Sequence, residues 1–566
     1  MPMHALKDET YSTTSPLRIA ILPMVGHTFF RAETEFLMFR QFARDVRDWF
    51  GAFCYLMIPE SGKDQIRQEP GMRILYEGPF ECFHDGIVST PTTFLQLFNP
   101  RDGTYPVDLV ISSRGASGAT LQRALRDHRS DVVPLALSEP FDDIIPLIID
   151  ESMPADFGWK ANPSIDWSEL ASRVVSYATA ARTYFDTERE RQVALNSARR
   201  ILSAQMLKNL ESKMEATPYG FSTDFVDKTI AGITRNKKFS VFYGGRHNLD
   251  KRWDRIVAIY NRFFSYGRDI SIVITAPKIE AVSALPIVQS NEAIEVTFEC
   301  EQPEFLRKAA ACHVSLWMSK VEGLTVGMLQ QAYCGLVLIL PRSDWVKEIL
   351  REKYEDYPFL FTRDKEAEGR LRWVYEHYEE AKKLVSWMPQ WVKNTYGSHI
   401  CTRKIYESMR DNLVHAKSPC RLWTKSNVKL FIAARDSLPD EFTFDDAVSR
   451  CYSMSQQIYK NMRDPRRGKP SRWSLWKWLK GPGGCVDSCK AEFPVFTKIV
   501  NPPPAPYSTI AYFDSRKARA CPKCGGRGFL DKARELETQC PVCGGLGEIS
   551  SEDQIEYADD SESEES

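Results

Sequence analysis

Short apolar, β-branched runs alternate with amphipathic helical stretches along this chain, and the alternation stops and then restarts once. The first series has a strand over 17–22, a loop holding Gly26 and His27, an amphipathic helix over 31–49 and a strand over 53–58. Runs at 107–112 and 132–137 continue it. Each is followed by Gly, Ser or acidic residues, as the ends of parallel strands usually are. The second series opens at 239–243, directly before Gly244-Gly245-Arg246. It continues through 270–275, 294–298, 314–318 and 335–340, then turns helical to about 412. Strand–helix alternation of this kind predicts α/β domains with parallel sheets. Two halves of similar size, 1–160 and 236–430, predict Rossmann-like domains facing a cleft. The stretch 167–215 has helical periodicity with no Pro or Gly, so 161–235 reads as a helical connector.

The chain has 566 residues, and at roughly 100 to 200 residues per domain there is room for about three to five domains. Beyond 431 the style changes. Residues 431–500 read as a small mixed module, 501–520 as a Pro-rich linker, 521–548 as a cysteine module and 549–566 as a disordered acidic tail. Lys plus Arg total 74 against 75 for Asp plus Glu, so any basic face is local and balanced elsewhere. A hydrophobic share of 43% with 26% charged residues excludes wholesale disorder or a coiled-coil rod. No apolar run approaches the roughly 18 residues of a membrane span, and residues 1–14 lack the order of a signal peptide. A soluble cytoplasmic protein without a membrane partner is expected. Fourteen cysteines are too dilute for a disulfide scaffold and point to a reducing compartment.

Four of those cysteines carry the sharpest local signal. Cys521-x2-Cys524 is followed after fifteen residues by Cys540-x2-Cys543, each pair leading into Gly-Gly-x-Gly. Four thiolates at this spacing close a tetrahedral site, so a structural zinc ion is expected on Cys521, Cys524, Cys540 and Cys543. The following glycines let backbone amides turn toward the sulfurs. The module resembles half of the zinc region of Hsp40-type chaperones. The resemblance implies a zinc ribbon rather than chaperone activity, since no His-Pro-Asp motif of a J-domain is present.

In the second α/β series, Gly245-Arg246 is followed by Lys251, and further on stands Ser319-x-x-Glu322-Gly323-Leu324-Thr325, leading to Gln330 and Gly335. An Arg fork and a Lys point charge at a strand end suit a diphosphate. These segments resemble the donor site of GT-B glycosyltransferases, which binds a nucleotide sugar. The resemblance implies that Gly244, Gly245, Arg246 and Lys251 hold the diphosphate. It also implies that Ser319, Glu322, Gly323, Leu324 and Thr325 lead from the sugar to a helix whose first amides can hold phosphate. Gln330 stands where the family has a second acid that binds the ribose. A UDP-sugar is the expected co-substrate.

The first half matches that family in position only: Gly26-His27 after the first strand, Ser112-Ser113-Arg114 after a later one, and Glu139 after Leu137. All fall at strand carboxyl ends, where open α/β sheets place ligands. An inverting reaction needs a base for the acceptor proton. His27 is a candidate, though equally a loop histidine with a structural hydrogen bond, and Glu33, Glu35 and Glu139 are further candidates. A retaining reaction has no such need.

The third signal is a basic stretch, Arg463, Arg466, Arg467, Lys469, Arg472, Lys477 and Lys480, interleaved with Trp473, Trp476 and Trp478. On a helix over 472–480, Trp473, Leu475, Trp476 and Leu479 fall on a buried side, with Arg472, Lys477 and Lys480 outward. With strand-like segments at 481–486 and 493–496 after it, the pattern resembles a winged helix-turn-helix, which implies DNA as partner. A protein-docking module is the alternative. Together the three signals resemble phage DNA glycosyltransferases, with a hydroxymethylated pyrimidine as acceptor and the host cytoplasm as location. Two other readings stay open: a glycosyltransferase with a protein, glycan or small-molecule acceptor, and a non-catalytic DNA-binding protein on a degenerate scaffold, for which Gln330 is the motivating departure.

Overall fold

The computed structural model describes residues 16–22, 34–58, 68–70, 72–76, 81–83, 86–88, 107–113, 135–139, 167–245, 251–265, 269–276, 293–298, 300–319, 322–414, 425–458, 472–480, 483–489, 494–499, 519–520 and 548–549. The chain divides into two compact units, one spanning Leu17–His415 and the other comprising Met1–Pro16 with Ala416–Ser566.

The first sheet of the larger unit is built from β1 (Arg18–Leu22), β2 (Phe53–Ile58), β3 (Met72–Tyr76), β6 (Leu109–Ser113), β7 (Leu135–Glu139), β8 (Arg182–Phe185) and β9 (Met214–Ala216); a separate hairpin pairs β4 (Glu81–Phe83) with β5 (Gly86–Val88). The order β3-β2-β1-β6-β7-β8-β9 is parallel throughout. β1 is buried along its whole length, as a central strand covered on both faces must be. Helix Thr34–Phe50 lays Phe36, Phe39, Phe42, Ala43 and Val46 onto this sheet, the spacing of one helical face.

Part of the expected helical connector is sheet. Between helices Trp167–Thr179 and Glu188–Ala198 the chain lays down β8, and after helix Ala204–Glu211 it lays down β9; both extend the first sheet. These strands have four and three residues, too short for alternation to register against flanking helical periodicity. What fixes Thr183, Tyr184 and Phe185 in a strand is burial against neighbours distant in sequence.

The second sheet contains β10 (Phe239–Tyr243), β11 (Ile270–Ala276), β12 (Ile294–Phe298), β13 (Val314–Leu316), β14 (Val337–Pro341) and β15 (Leu360–Phe361), in the parallel order β12-β11-β10-β13-β14-β15. This is the doubly wound order, with its reversal between β10 and β13. Helices Trp253–Ser265, Gln302–Ala311, Val326–Tyr333 and Asp364–Glu376 pack against it through Ile256, Tyr260, Leu306, Leu329 and Leu371.

The chain passes from the first sheet to the second near Phe221 and returns near Gly397. The two passages lie side by side: Phe221 N–H donates to the Tyr396 carbonyl at 3.2 Å and Ser398 N–H to the Phe221 carbonyl at 2.8 Å. Gly220, at φ +73°, is required here, since a Cβ would stand 2.6 Å from the Tyr396 carbonyl oxygen. The returning helix Ser398–Met409 then places Ile405, Tyr406 and Met409 in the core of the first sheet, with Tyr406 stacked on Phe50 at 4.2 Å.

The smaller unit runs helix Lys425–Asp436, β16 (Glu441–Thr443), helix Phe444–Ile458, helix Arg472–Lys480, β17 (Cys485–Asp487) and β18 (Val495–Lys498), with the antiparallel sheet order β16-β18-β17. Thr443 and Asp446 cap the middle helix reciprocally, each side chain taking the other's backbone N–H at about 3 Å. Trp476 packs edge-on to Phe444 and Phe496, both at 5.2 Å. Farther along, β19 (Arg519–Ala520) pairs antiparallel with β20 (Glu548–Ile549). Among the described residues, no helix is long and apolar enough to cross a membrane.

Candidate functional site

β10 and β13 diverge at their carboxyl ends, where the strand order reverses and a doubly wound sheet opens a crevice. Gly244 and Gly245 leave β10 there. A Cβ on Gly244 would lie 2.4 Å from the Phe305 ring and 2.7 Å from that of Phe242, so aromatic packing under the turn demands this glycine. Lys251 precedes helix Trp253–Ser265, whose first residue is buried against Tyr243 at 4.6 Å. From the β13 side come Ser319, 1% exposed, and Glu322, 6% exposed. Trp345 Nε1 donates to the Ser319 carbonyl at 3.1 Å and holds that loop down.

Across the crevice Lys251 Nζ stands 2.6 Å from Glu322 Oε2. The other carboxylate oxygen, Oε1, is buried with no hydrogen-bond partner. A buried acceptor without a donor is costly, and a hydroxyl-bearing ligand would satisfy it. Gly323 and Leu324 lead to Thr325, the N-cap of helix Val326–Tyr333. Thr325 makes no side-chain cap to the first turn, while the Val326 and Met328 N–H groups donate to the Leu324 and Thr325 carbonyls at 2.9 and 3.0 Å. Gln330, on the same helix, is 4% exposed.

Of the residues singled out in the sequence, the structure sets Lys251 against Glu322; Gly244 and Gly245 stand at the end of β10, and Ser319, Gly323, Leu324, Thr325 and Gln330 lie on the segment from the end of β13 into helix Val326–Tyr333. Arg246 and His27 lie outside the described residues, as do Glu33, Arg114, Arg463, Arg466, Arg467, Lys469 and the four cysteines Cys521, Cys524, Cys540 and Cys543. Glu139 is the last residue of β7, its backbone opposite Phe185 of β8.

Arg189 is a residue that sequence reasoning missed. It sits on the helix that follows β8, on the first sheet's side, yet its guanidinium donates to the Glu322 carbonyl at 3.3 Å and its backbone N–H to Glu348 Oε1 at 2.8 Å. The signal that could have located it is Thr187-x-x-Glu190, a reciprocal capping box that starts a helix inside the presumed connector. Below it lie acidic groups. Burial pushes the Asp186 carboxyl up to about 7, and burial together with the charge of Asp186 pushes Glu190 well up. Glu348 is raised by burial as well.

In the smaller unit the expectation of outward Arg472 and Lys480 is corrected. Arg472 pairs with Asp445 and lies over the Phe444 ring at 5.2 Å, while Lys480 Nζ donates to the Pro16 carbonyl at 2.7 Å and lies over Trp476. A helix only nine residues long lets neighbouring elements reach its charged ends, which a helical wheel does not show. Trp478 is buried beside Leu475, Trp476 and Leu479. The side chains of Trp473 and Lys477 lie outside the described residues.

No protein-family model matches the chain, and no curated protein sequence matches it. Solved structures do. Sucrose-phosphate synthase from Thermosynechococcus elongatus superposes with a TM-score of 0.52 at 11% identity, covering 71% of this chain and 100% of that one. The fold is that of the GT-B glycosyltransferases. HepE from Anabaena in complex with UDP-glucose has a TM-score of 0.48 at 11% identity, covering 70% and 100%, and trehalose 6-phosphate synthase from Burkholderia multivorans has 0.48 at 12%, covering 71% and 100%. The share of this chain covered leaves room for the smaller unit as an addition to the GT-B body.

Proposed function

We propose that the protein is a nucleotide-sugar-dependent glycosyltransferase whose acceptor is a hydroxymethylated pyrimidine base in DNA. The observation that carries the enzymatic part is the Lys251–Glu322 pair at the reversal of a doubly wound sheet, with Glu322 Oε1 buried and unsatisfied. A nucleoside diphosphate-sugar fits this arrangement: its diphosphate lies against Lys251, with Arg246 as second cation, and a sugar hydroxyl donates to Glu322 Oε1. Similarity of fold to sucrose-phosphate synthase supports the same class of chemistry. The Thr325 hydroxyl suits the phosphates, and Gln330 suits the ribose through its amide. A UDP-sugar fits the resemblance of these residues to the GT-B donor site.

The DNA part rests on the smaller unit. Its order of helix, strand, helix, helix and two strands, with the last strand central in the sheet, is the one expected of a winged helix. The basic residues Arg463, Arg466, Arg467 and Lys469 immediately precede the helix that such a module lays in the major groove. Pairing of β19 with β20 closes the base of the segment holding Cys521, Cys524, Cys540 and Cys543. That supports a hairpin in which two thiolate pairs meet around a structural zinc ion. The acceptor base would be extruded to reach the crevice.

One observation favours a second reading, a glycosyltransferase with a different acceptor and a recruiting module: Arg472 and Lys480 are already engaged inside their unit. Incubation with a panel of nucleotide sugars and hydroxymethylated DNA, followed by mass spectrometry of the nucleosides, separates the readings. A glycosylated nucleoside is the expected product. Donor turnover with an unchanged nucleoside profile would move the acceptor away from DNA, and no turnover of any nucleotide sugar would end the enzymatic reading.

A further inference from the structure

The residue after Lys251 carries a backbone outlier. Arg252 has φ 53°, in the left-handed region that residues with a side chain rarely adopt. It also begins helix Trp253–Ser265, its carbonyl accepting from the N–H groups of Arg255 at 3.0 Å and Ile256 at 3.2 Å. The angle φ of Arg252 is the rotation about the bond that joins the Lys251 peptide group to this helix. A flip to the ordinary region would swing Lys251 away from its present place while leaving the helix where it is.

Two anchors hold the helix itself. Trp253 is buried against Tyr243, and Arg262 Nε donates to Glu368 Oε2 at 2.7 Å on helix Asp364–Glu376. The outlier has its own tie to that second helix. The Arg252 guanidinium forks onto Asp364, with Nη1 to Oδ1 and Nη2 to Oδ2 both at 3.3 Å, and Arg255 Nη1 adds a contact at 4.0 Å. Asp364 is the first residue of its helix, 112 positions from Arg252, and that helix is fixed to the second sheet by buried Ala367, Leu371 and Val374. A partly exposed ion pair contributes little to stability, whereas strain next to a functional group persists only when its surroundings over-determine it.

We propose that Asp364 is a positioning residue for the donor site: by holding the guanidinium of Arg252 it keeps that residue left-handed and so sets Lys251 Nζ against Glu322. The role for sugar-nucleotide binding rests on the donor-site reading, while the positioning of Lys251 does not. The test compares crystal structures and UDP affinities by calorimetry for the wild-type chain, Asp364→Ala, and the double variant Asp364→Ala with Arg252→Gly. Asp364→Ala is expected to turn φ of Arg252 negative, move Lys251 out of hydrogen-bonding distance of Glu322 and weaken UDP binding about fivefold to tenfold. Adding Arg252→Gly is expected to restore most of the position and affinity, because glycine adopts positive φ without steric cost although the guanidinium is gone. A merely structural ion pair predicts no such rescue. Lys251 staying on Glu322 in Asp364→Ala, or no rescue by glycine, would overturn the proposal. If Lys251 moves and returns as described but the wild-type chain binds no UDP, the positioning stands and the donor-site reading fails.

Discussion

Lys251 and Glu322, 71 positions apart in the sequence, meet at 2.6 Å across the carboxyl ends of β10 and β13, with their side chains 15% and 7% exposed. Lys251 compensates one oxygen of the Glu322 carboxylate, and the other oxygen has no hydrogen-bond partner. Removing the cation alone leaves a buried carboxylate with neither oxygen so compensated. Lys251→Met should cost about 2 to 4 kcal/mol of stability, and the double variant with Glu322→Gln should cost less than Lys251→Met alone. Urea unfolding of the four proteins in the cycle checks the sign of the coupling.

Arg189→Ala removes the donor to the Glu322 carbonyl and leaves the backbone bond to Glu348 in place. If Glu322 grips the sugar, the loss should appear as a fall in kcat/KM on the order of tenfold, the value of about one charge-assisted hydrogen bond. Initial rates over a range of donor concentration measure it. An unchanged kcat/KM would mean the contact only ties the two halves together.

Asp45 predicts a pH dependence with a definite sign. Burial pushes its carboxyl up to about 6, against hydrogen bonds from Ser398 and Gln41 that lower it. The folded state therefore holds this proton more tightly than the unfolded chain. The stabilisation is complete below about 4 and is lost as pH rises through about 6. Asp45→Asn, neutral at every pH, should gain on the wild type across that window. Melting temperatures from pH 4 to 8 should show the difference widening and then levelling, and a constant difference would contradict the assignment.

Trp476 ties the smaller unit together through Phe444 and Phe496. Trp476→Ala should cost that unit about 3 to 5 kcal/mol. Under the proposed function, UDP binding belongs to the larger unit and should survive, whereas salt-sensitive DNA binding should be lost with the smaller unit. Calorimetry with UDP and a DNA-binding titration at two salt concentrations on the same sample distinguish the two. Loss of UDP binding as well would show that the units do not fold independently.

Much of the architecture was legible because it is written in short-range pattern. β2, β10 and β12 fall on the residues where apolar β-branched runs predict them, and helix Arg472–Lys480 has its expected ends. β8 and β9 were not legible, since three or four residues beside strong helices carry no period of their own. Lys251 and Glu322 were singled out by their place in the sequence motifs, whereas the packing of the Phe305 and Phe242 rings against Gly244 was not legible there. The orientation of Arg472 and Lys480 was misread because their partners, Asp445 and the Pro16 carbonyl, lie 27 and 464 positions away.

What the sequence determined by itself is the kind of each element and the chemistry it can bring, because hydrophobic period, glycine and charge act over a few residues. Only the tertiary structure decided which charges meet, which stay uncompensated and which backbone is held in a disfavoured conformation. Those outcomes depend on distances between elements that local pattern does not encode, and at the end of β10 they turn three separate residues, Lys251, Arg252 and Glu322, into one arrangement.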